Sequence, residues 1–108
     1  MTRSHQVVDA IPVEEQLALR LKALGHPVRL EIVRHLAGCG CCCCGDFCDT
    51  LPLAQSTISQ HLELLCKAGI LALHKSGTRS NYSLNRQALA AIAEHLGTFS
   101  NAGSTSPS

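Results

Sequence analysis

Six of the seven cysteines in this 108-residue chain lie within one ten-residue segment, Cys39–Cys48. Clustered thiols bind soft metal ions or metalloids, or respond to oxidants, whereas structural disulfides are rare in the reducing cytosol. Met1–Ala10 lacks the apolar core of a signal peptide, and no apolar run approaches the roughly 20 residues of a membrane span. We therefore expect a cytoplasmic protein with no membrane partner and a metal-binding or redox-sensing segment near its middle.

Three sulfur atoms from this segment can converge on one ligand. In an extended chain, residues i and i+2 share a side, which pairs Cys42 with Cys44 and Cys41 with Cys43. Cys48 falls in the first turn of a predicted helix, where the helix N-terminus favours the thiolate that binds metals. As(III) and Sb(III) take three thiolates in a pyramid, whereas zinc usually takes four tetrahedral ligands. One pair plus Cys48 therefore predicts a site for a trivalent metalloid, with no organic cofactor.

The clustered cysteines differ in how well they fit this site. We rank them as candidate ligands with Cys42, Cys44 and Cys48 first, Cys43 next, and Cys41 and Cys39 last. Cys66, near the end of a later predicted helix, is interpreted as a small, semi-buried apolar residue.

Two helices are predicted ahead of the cysteines. The first follows Pro12 and ends at Gly25, and the second begins at Pro27 and ends at Gly38. Their apolar residues recur at helical spacing. The residues predicted to face inward are Leu17, Leu21 and Leu24, then Leu30, Val33 and Leu36.

The next two helices form a helix-turn-helix. Asp46 is a suitable N-cap for a short helix with Phe47 and Leu51 on one face. A longer helix, Gln55–Lys67, follows a tight turn and ends before Gly69. Its predicted inward residues are Ile58, Leu62 and Leu65.

A β-hairpin and a final helix complete the pattern. Two strands, Ile70–Lys75 and Asn81–Leu84, flank a basic tip at Ser76–Arg79. Asn85 caps a last helix that ends at Gly97. Its predicted apolar stripe consists of Leu89, Ile92 and Leu96.

These elements predict a mainly α fold with a small β-hairpin, a winged helix-turn-helix with five helices and the wing before the last. One domain is expected at residues 11–97, between a disordered N-terminus at 1–10 and a disordered tail at 98–108. Only three aromatic residues leave a light core, so we expect a homodimer through the first and last helices. The formal charge of +1 excludes a polybasic binder, and any nucleic-acid surface must be local. No enzyme motif is present, which predicts a protein that is not an enzyme.

The predicted DNA-binding residues lie at the start of the longer helix and on the wing. Amides and hydroxyls read base edges or phosphates, and cations on a wing contact phosphate or the minor groove. The residues are Ser56, Thr57, Ser59, Gln60 and His61 on the helix, and Lys75 and Arg79 on the wing. Ala54 occupies the N-cap position, where an alanine typically costs ~1 kcal/mol.

Three segments, LGHPVRLEIV (24–33), QSTISQHLELL (55–65) and AGIL (68–71), occur in an order and spacing that resemble the ArsR/SmtB family of metal-responsive repressors. The resemblance covers roughly residues 14–97. It implies a cytosolic homodimer that occupies double-stranded operator DNA and releases it when a toxic metal or metalloid binds.

The resemblance extends to the thiol segment with one departure. Arsenic sensors of the family carry a Cys-x-Cys-Asp-Leu motif, and here Gly45 is inserted between Cys44 and Asp46. The ligand set therefore stays open. The family's zinc site, an Asp-x-His pattern at the last helix, is missing, since Asn85, Arg86 and Gln87 begin that helix.

Other signals and other functions fit the same thiols. Vicinal cysteines could form a disulfide or persulfide in a redox or sulfide sensor, or bind Cd(II), Pb(II), Zn(II) or Cu(I). A soft-metal buffer that uses the fold only as a scaffold is a further alternative. Operator binding separates the buffer from the sensors, because a metal carrier should show no DNA sequence preference.

Overall fold

The structure is a computed structural model, which describes residues 12–39, 41–43, 47, 49 and 51–101. At residues 39 and 41–43 only the backbone is described. The predicted disorder of residues 1–10 and 102–108, and the predicted ligands Cys44 and Cys48, lie outside the described residues.

Four helices and three strands make up the described chain. In chain order they are α1 (Val13–Leu24), α2 (Pro27–Cys39), β1 (Cys41–Cys43), α3 (Gln55–Lys67), β2 (Leu71–Ser76), β3 (Arg79–Leu84) and α4 (Arg86–Asn101). Between β1 and α3, the backbone N–H of Leu51 donates to the Phe47 carbonyl at 2.7 Å, a helical spacing. The rest of the short helix predicted there lies outside the described residues.

One antiparallel sheet contains all three described strands, in the order β1-β3-β2. The hairpin turn is tighter than predicted, because β2 runs to Ser76 and β3 begins at Arg79, leaving only residues 77 and 78 between them. Gly77 has φ +64°, a conformation that favours glycine. Strand β1, which the sequence pattern did not predict, pairs with the outer side of the wing.

The core lies where α2, α3 and the helical turn before α3 meet the sheet. The predicted inward stripe of α3 is confirmed, since Ile58, Leu62 and Leu65 are fully buried. In α2 the prediction was wrong at Leu30, which is 45% exposed, while Ile32 and Leu36 are buried. The α2 core stripe therefore runs through Ile32, four residues before Leu36, and Leu30 lies off that stripe.

The apolar stripes of the first and last helices divide between core and surface. Leu17, Leu24 and Leu89 pack against the core, whereas Leu21 and Leu96 are 37% and 42% exposed. Each stripe therefore includes a leucine that the single chain does not bury.

The last helix extends beyond its predicted end at Gly97 and runs to Asn101. Gly97 is not among the glycines with positive φ, and a Cβ there would meet no atom within 4 Å. It is an ordinary helical position rather than a C-cap, so the predicted boundary of the tail at residue 98 was wrong. No helix in the described part of the chain is long and apolar enough to cross a membrane.

Candidate functional site

The predicted DNA-reading residues lie along the first two turns of α3. Since α3 buries one apolar stripe in the core, its opposite face is turned outward. Ser56, Ser59 and Gln60 are exposed on that face, whereas Thr57 and His61 are half-buried beside the core stripe. Three of the five predicted residues are therefore exposed, as a side chain that contacts bases in a DNA groove must be.

The N-terminal end of α3 has no side-chain cap. Ala54 holds the N-cap position with φ −67° and ψ 150°, and its methyl group offers no acceptor. The N–H groups of Thr57 and Ile58 both donate to the Ala54 carbonyl at 3.1 Å. The first N–H groups of a helix have no partner within the helix, so this end suits a phosphate oxygen.

The C-terminal end of α3 is closed by the protein itself. Gly69 has φ +81°, and its N–H donates to the Cys66 carbonyl while that of Ile70 donates to the Leu65 carbonyl, both at 3.0 Å. This pair of bonds is a Schellman motif, for which a left-handed residue is needed.

Two side chains from other elements also bind this end. The Arg20 Nε of α1 donates to the Ala68 carbonyl at 3.2 Å. The Asn85 Nδ2 donates to the Gly69 carbonyl at 2.9 Å. Asn85 also accepts from the Ala88 N–H at 3.2 Å, which confirms it as the cap of the last helix. Helix α3 is thereby attached to both α1 and the start of α4.

Arg29 ties three helices together. From α2, its Nε donates to Nδ1 of His61 on α3 at 3.1 Å, and its Nη1 donates to the Ala23 carbonyl of α1 at 3.2 Å. The His61 ring also lies 4.7 Å from the His26 ring, between centroids. Burial lowers the pKa of His61, and the charges of His26 and Arg29 lower it further.

These contacts show what His61 does within the chain. A neutral imidazole is needed for Nδ1 to accept from Arg29. His61 is thus held by α2, and we interpret it as a residue that positions the reading helix. No local sequence pattern indicates this network, because Arg29 and His61 are 32 residues apart.

The wing carries the two predicted cations. Lys75 and Arg79 are both exposed, on β2 and β3, and flank the tight turn at Gly77. Lys75 pairs in register with Ser80, and Arg79 with Ser76. Exposed cations at the end of a hairpin are suitably placed for phosphate or minor-groove contact.

The cysteine segment is attached to the wing. In the β1–β3 register, Cys41 is opposite Ser83, Cys42 opposite Tyr82 and Cys43 opposite Asn81. Residues 41–43 thus have the extended backbone on which the predicted pairing of Cys41 with Cys43 depends, whereas Cys44 lies outside the described residues. Cys39, which was predicted to follow the end of the second helix at Gly38, is instead the last residue of α2.

The chain after the cysteines is anchored in the core. Phe47 is fully buried and contacts the His35 ring edge-on, with centroids 5.3 Å apart. His35, Glu31, Phe47 and Leu51 line a cavity of about 150 Å³ at this point. The strand of cysteines is thus bounded by the wing on one side and by a core anchor three residues after Cys44.

The described residues contain no group of three or more His, Cys, Asp or Glu able to hold a metal ion. The predicted ligand atoms lie outside that part of the chain. Cys66 is within it, as a free, half-buried thiol packed against the core, which confirms its interpretation as an apolar residue. Burial, aided by Glu63, raises the pKa of Cys66 to about 11, so it is a neutral thiol at neutral pH.

Comparison with known proteins points to one class. A helix-turn-helix domain model matches residues 24–74. The arsenical resistance operon repressor of Staphylococcus xylosus is 33% identical over 82 residues, covering 76% of this chain and 78% of the repressor. A crystal structure of a possible transcriptional regulator for arsenical resistance aligns with a TM-score of 0.68 at 30% identity, over 74% of this chain and 82% of that one.

A third likeness bears on the fold. The homodimeric winged helix-turn-helix DNA-binding domain of a possible ArsR-family regulator from Mycobacterium bovis, solved by NMR, aligns with a TM-score of 0.67 at 20% identity. The alignment covers 94% of this chain and 90% of that one. The predicted winged helix-turn-helix fold is therefore confirmed, and the chain belongs to the ArsR/SmtB family of transcriptional regulators.

Proposed function

We propose that this protein is a homodimeric, metalloid-responsive transcriptional repressor, which releases operator DNA when As(III) or Sb(III) binds its cysteine thiolates. The observation that carries the proposal is the pairing of the cysteine strand β1 with the wing strand β3. One continuous sheet joins the segment suited to thiophilic ligands to an element suited to DNA. The repressors of arsenical resistance among its relatives support the same inducer class.

DNA binding is assigned to the outer face of α3 and to the wing. Gln60 and Ser59 would read base edges in the major groove, with the uncapped helix end at Ala54 on a phosphate. Lys75 and Arg79 would contact the backbone or minor groove beside it. Two such heads in a dimer would engage successive major grooves, ~34–36 Å apart on an imperfect palindrome.

A homodimer is supported by the apolar surface of the first and last helices. Val13, Leu96 and Phe99 are 53%, 42% and 63% exposed in the single chain. Val13 of α1 and His95 of α4 line one small cavity, so these helices meet along this surface. Large apolar side chains exposed together mark interaction surfaces, and a second copy would bury them. Light scattering at micromolar concentration should give the mass of a dimer.

The proposed ligand set is Cys42, Cys44 and Cys48. Since Cys42 belongs to an edge strand and Cys48 directly follows the core residue Phe47, a single ligand would draw the strand towards the core. The strand would carry the wing with it through β3. The core anchor Phe47 belongs to the same buried cluster as Ile58, Leu62 and Leu65 of α3. A useful switch needs ~1–3 kcal/mol of coupling between the two sites.

The reduced cytoplasm is the compartment in which such thiolates would be available. A redox or sulfide sensor, or a sensor of Cd(II), Pb(II), Zn(II) or Cu(I), would use thiols of the same cysteine segment. These alternatives change the signal and leave the DNA-binding half of the proposal intact.

The test titrates reduced protein onto fluorescent DNA from upstream of its own gene, with random DNA as control. Arsenite, antimonite, the divalent metals, Cu(I), peroxide and a persulfide donor are then added separately. We expect preference for the upstream DNA at physiological salt, and release at the lowest concentrations of arsenite or antimonite. No sequence preference would favour a metal buffer, and release only by an oxidant or persulfide would overturn the metalloid assignment.

A further inference from the structure

A cavity of about 300 Å³ lies between α1 and the C-terminal half of α3. Its apolar lining consists of Leu19 and Ala23 on α1, Leu64 on α3, and Ala68 directly after α3. The two alanines are buried at 1% and 5%, while the two leucines remain 42% and 39% exposed. The cavity thus has a closed apolar floor and leucine walls that a bound apolar group would cover.

The rim of this cavity is cationic. Lys22, Arg29 and Lys67 line it, and no carboxylate does. The ends of α1 and α3 also lie here, and each helix C-terminus carries roughly −0.5 charge. Three cations exceed the roughly −1 of two helix ends. Lys67 has an ion pair with Glu63 at 3.8 Å, but both side chains are highly exposed and the pair is weak. The rim therefore favours an anion.

One rim residue also holds the reading helix. Arg29 donates to His61 on α3 and to the carbonyls of Ala23 and Lys22 on α1. The guanidinium also lines the cavity, where an anion would be a further acceptor for its N–H groups. An anion would compete with the imidazole nitrogen for the guanidinium, because charge-assisted bonds are the stronger.

We propose that this cavity binds a small amphipathic organic anion, a carboxylate with a short apolar chain, and that the bound anion weakens operator binding by drawing Arg29 from His61. This is a second effector site, built from residues other than the thiol segment. Its effect on DNA rests on the proposed repressor function, whereas binding of the anion does not.

Octanoate is the probe, because at roughly 30 Å³ per water-sized group the cavity holds about ten non-hydrogen atoms. Calorimetric titration of the reduced full-length protein should show one octanoate bound per chain. The neutral 1-octanol, of similar size, should bind about fivefold more weakly or worse, because it lacks the charge that the rim attracts. Absence of octanoate binding overturns the proposal, as does equal binding of the alcohol.

Matched variants locate the site. Lys22→Gln with Lys67→Gln, and separately Leu64→Asn, should raise the Kd of octanoate about fivefold or more. Arg34→Gln removes an exposed cation of α2, and Leu73→Asn changes a leucine that is similarly exposed on β2. Both controls should leave octanoate binding unchanged. Equal losses in variants and controls overturn the site, as does a dimer that dissociates on Leu64→Asn, since the cavity would then be an interface between copies.

Operator binding is measured in the same samples by fluorescence anisotropy. Saturating octanoate should raise the operator Kd about fivefold or more in the wild type, and the Lys22→Gln, Lys67→Gln protein should need at least about fivefold more octanoate for the same effect. Octanoate binding with an unchanged operator Kd overturns the effector role. If no DNA is bound selectively under any condition, the repressor assignment fails, while calorimetry still decides whether the cavity binds the anion.

Discussion

The two ends of helix α3 differ in the hydrogen-bond partners of their backbone N–H and C=O groups. At the C-terminal end, a Schellman motif at Gly69 and the side chains of Arg20 and Asn85 bind the last carbonyls. At the N-terminal end, Ala54 provides no side-chain bond. The protein's own groups therefore bind the C-terminal end, and the N-terminal end, which would meet DNA, has no side-chain cap.

The largest effect is expected at the open end, in DNA discrimination. Gln60→Ala should cost ~1–3 kcal/mol on the operator and little on random DNA, because only base contacts depend on sequence. Anisotropy titrations on both DNAs measure the difference. Arg79→Ala is the matched control on the wing, and it should weaken both DNAs and reduce the salt dependence. Equal losses on both DNAs for Gln60→Ala would remove the base-reading role.

The next effect is expected at the closed end, in stability. Gly69→Ala should destabilise the protein by about 1–2 kcal/mol, because φ +81° is left-handed and a Cβ would lie 3.2 Å from Arg20 Nη2. Gly97→Ala is the control, since this helical glycine has open space around it and alanine should stabilise it by ~0.5–1 kcal/mol. Urea unfolding measures both. Equal effects at the two glycines would contradict the special role of the C-terminal end.

A smaller effect tests the missing cap. Ala54→Ser should raise the free energy of unfolding by ~0.5–2 kcal/mol, because its hydroxyl can accept from the second or third helical N–H. It should not improve operator affinity, since the new cap competes with a phosphate for the same groups. A gain in operator affinity larger than the gain in stability would show that the open end has no such role.

The smallest effect concerns pH. The folded pKa of His61 is below its ordinary value of 6.5, so its neutral form contributes stability above about pH 6.5 that is lost as pH falls below this value. Wild-type protein should therefore lose more stability between about pH 7.5 and pH 5.5 than His61→Gln. The control His74→Gln alters an exposed histidine of the wing and should retain the wild-type loss. A wild-type loss in His61→Gln would rule out the burial of His61 beside His26 and Arg29 as its cause.

Features that depend on neighbouring residues in the sequence could be predicted. The stripe Ile58–Leu62–Leu65, the stop at Gly69 and the cap at Asn85 each follow from residues within one or two turns. The outward face of α3 followed from its core stripe, so the exposure of Ser56, Ser59 and Gln60 could be predicted.

Long-range contacts determined the features that the sequence did not predict. Strand β1 exists because β3 offers it hydrogen bonds, although 38 to 42 residues separate its partners. The prediction that Leu30 faces inward was wrong because helical spacing identifies an apolar face without showing which face the core will cover. The contacts of Arg20 and Arg29 with carbonyls of other helices leave no periodic signal at all.

The measurement that tests the central claim most directly is release of labelled operator by arsenite, in reductant, from proteins altered in the thiol segment. Cys48→Ser, and the double change Cys42→Ser with Cys44→Ser, should keep operator affinity near wild type yet need at least about tenfold more arsenite for release. Cys39→Ser and Cys66→Ser should behave as wild type. If Cys48→Ser and the double variant both release DNA at wild-type arsenite concentrations, the sensor does not lie in this segment.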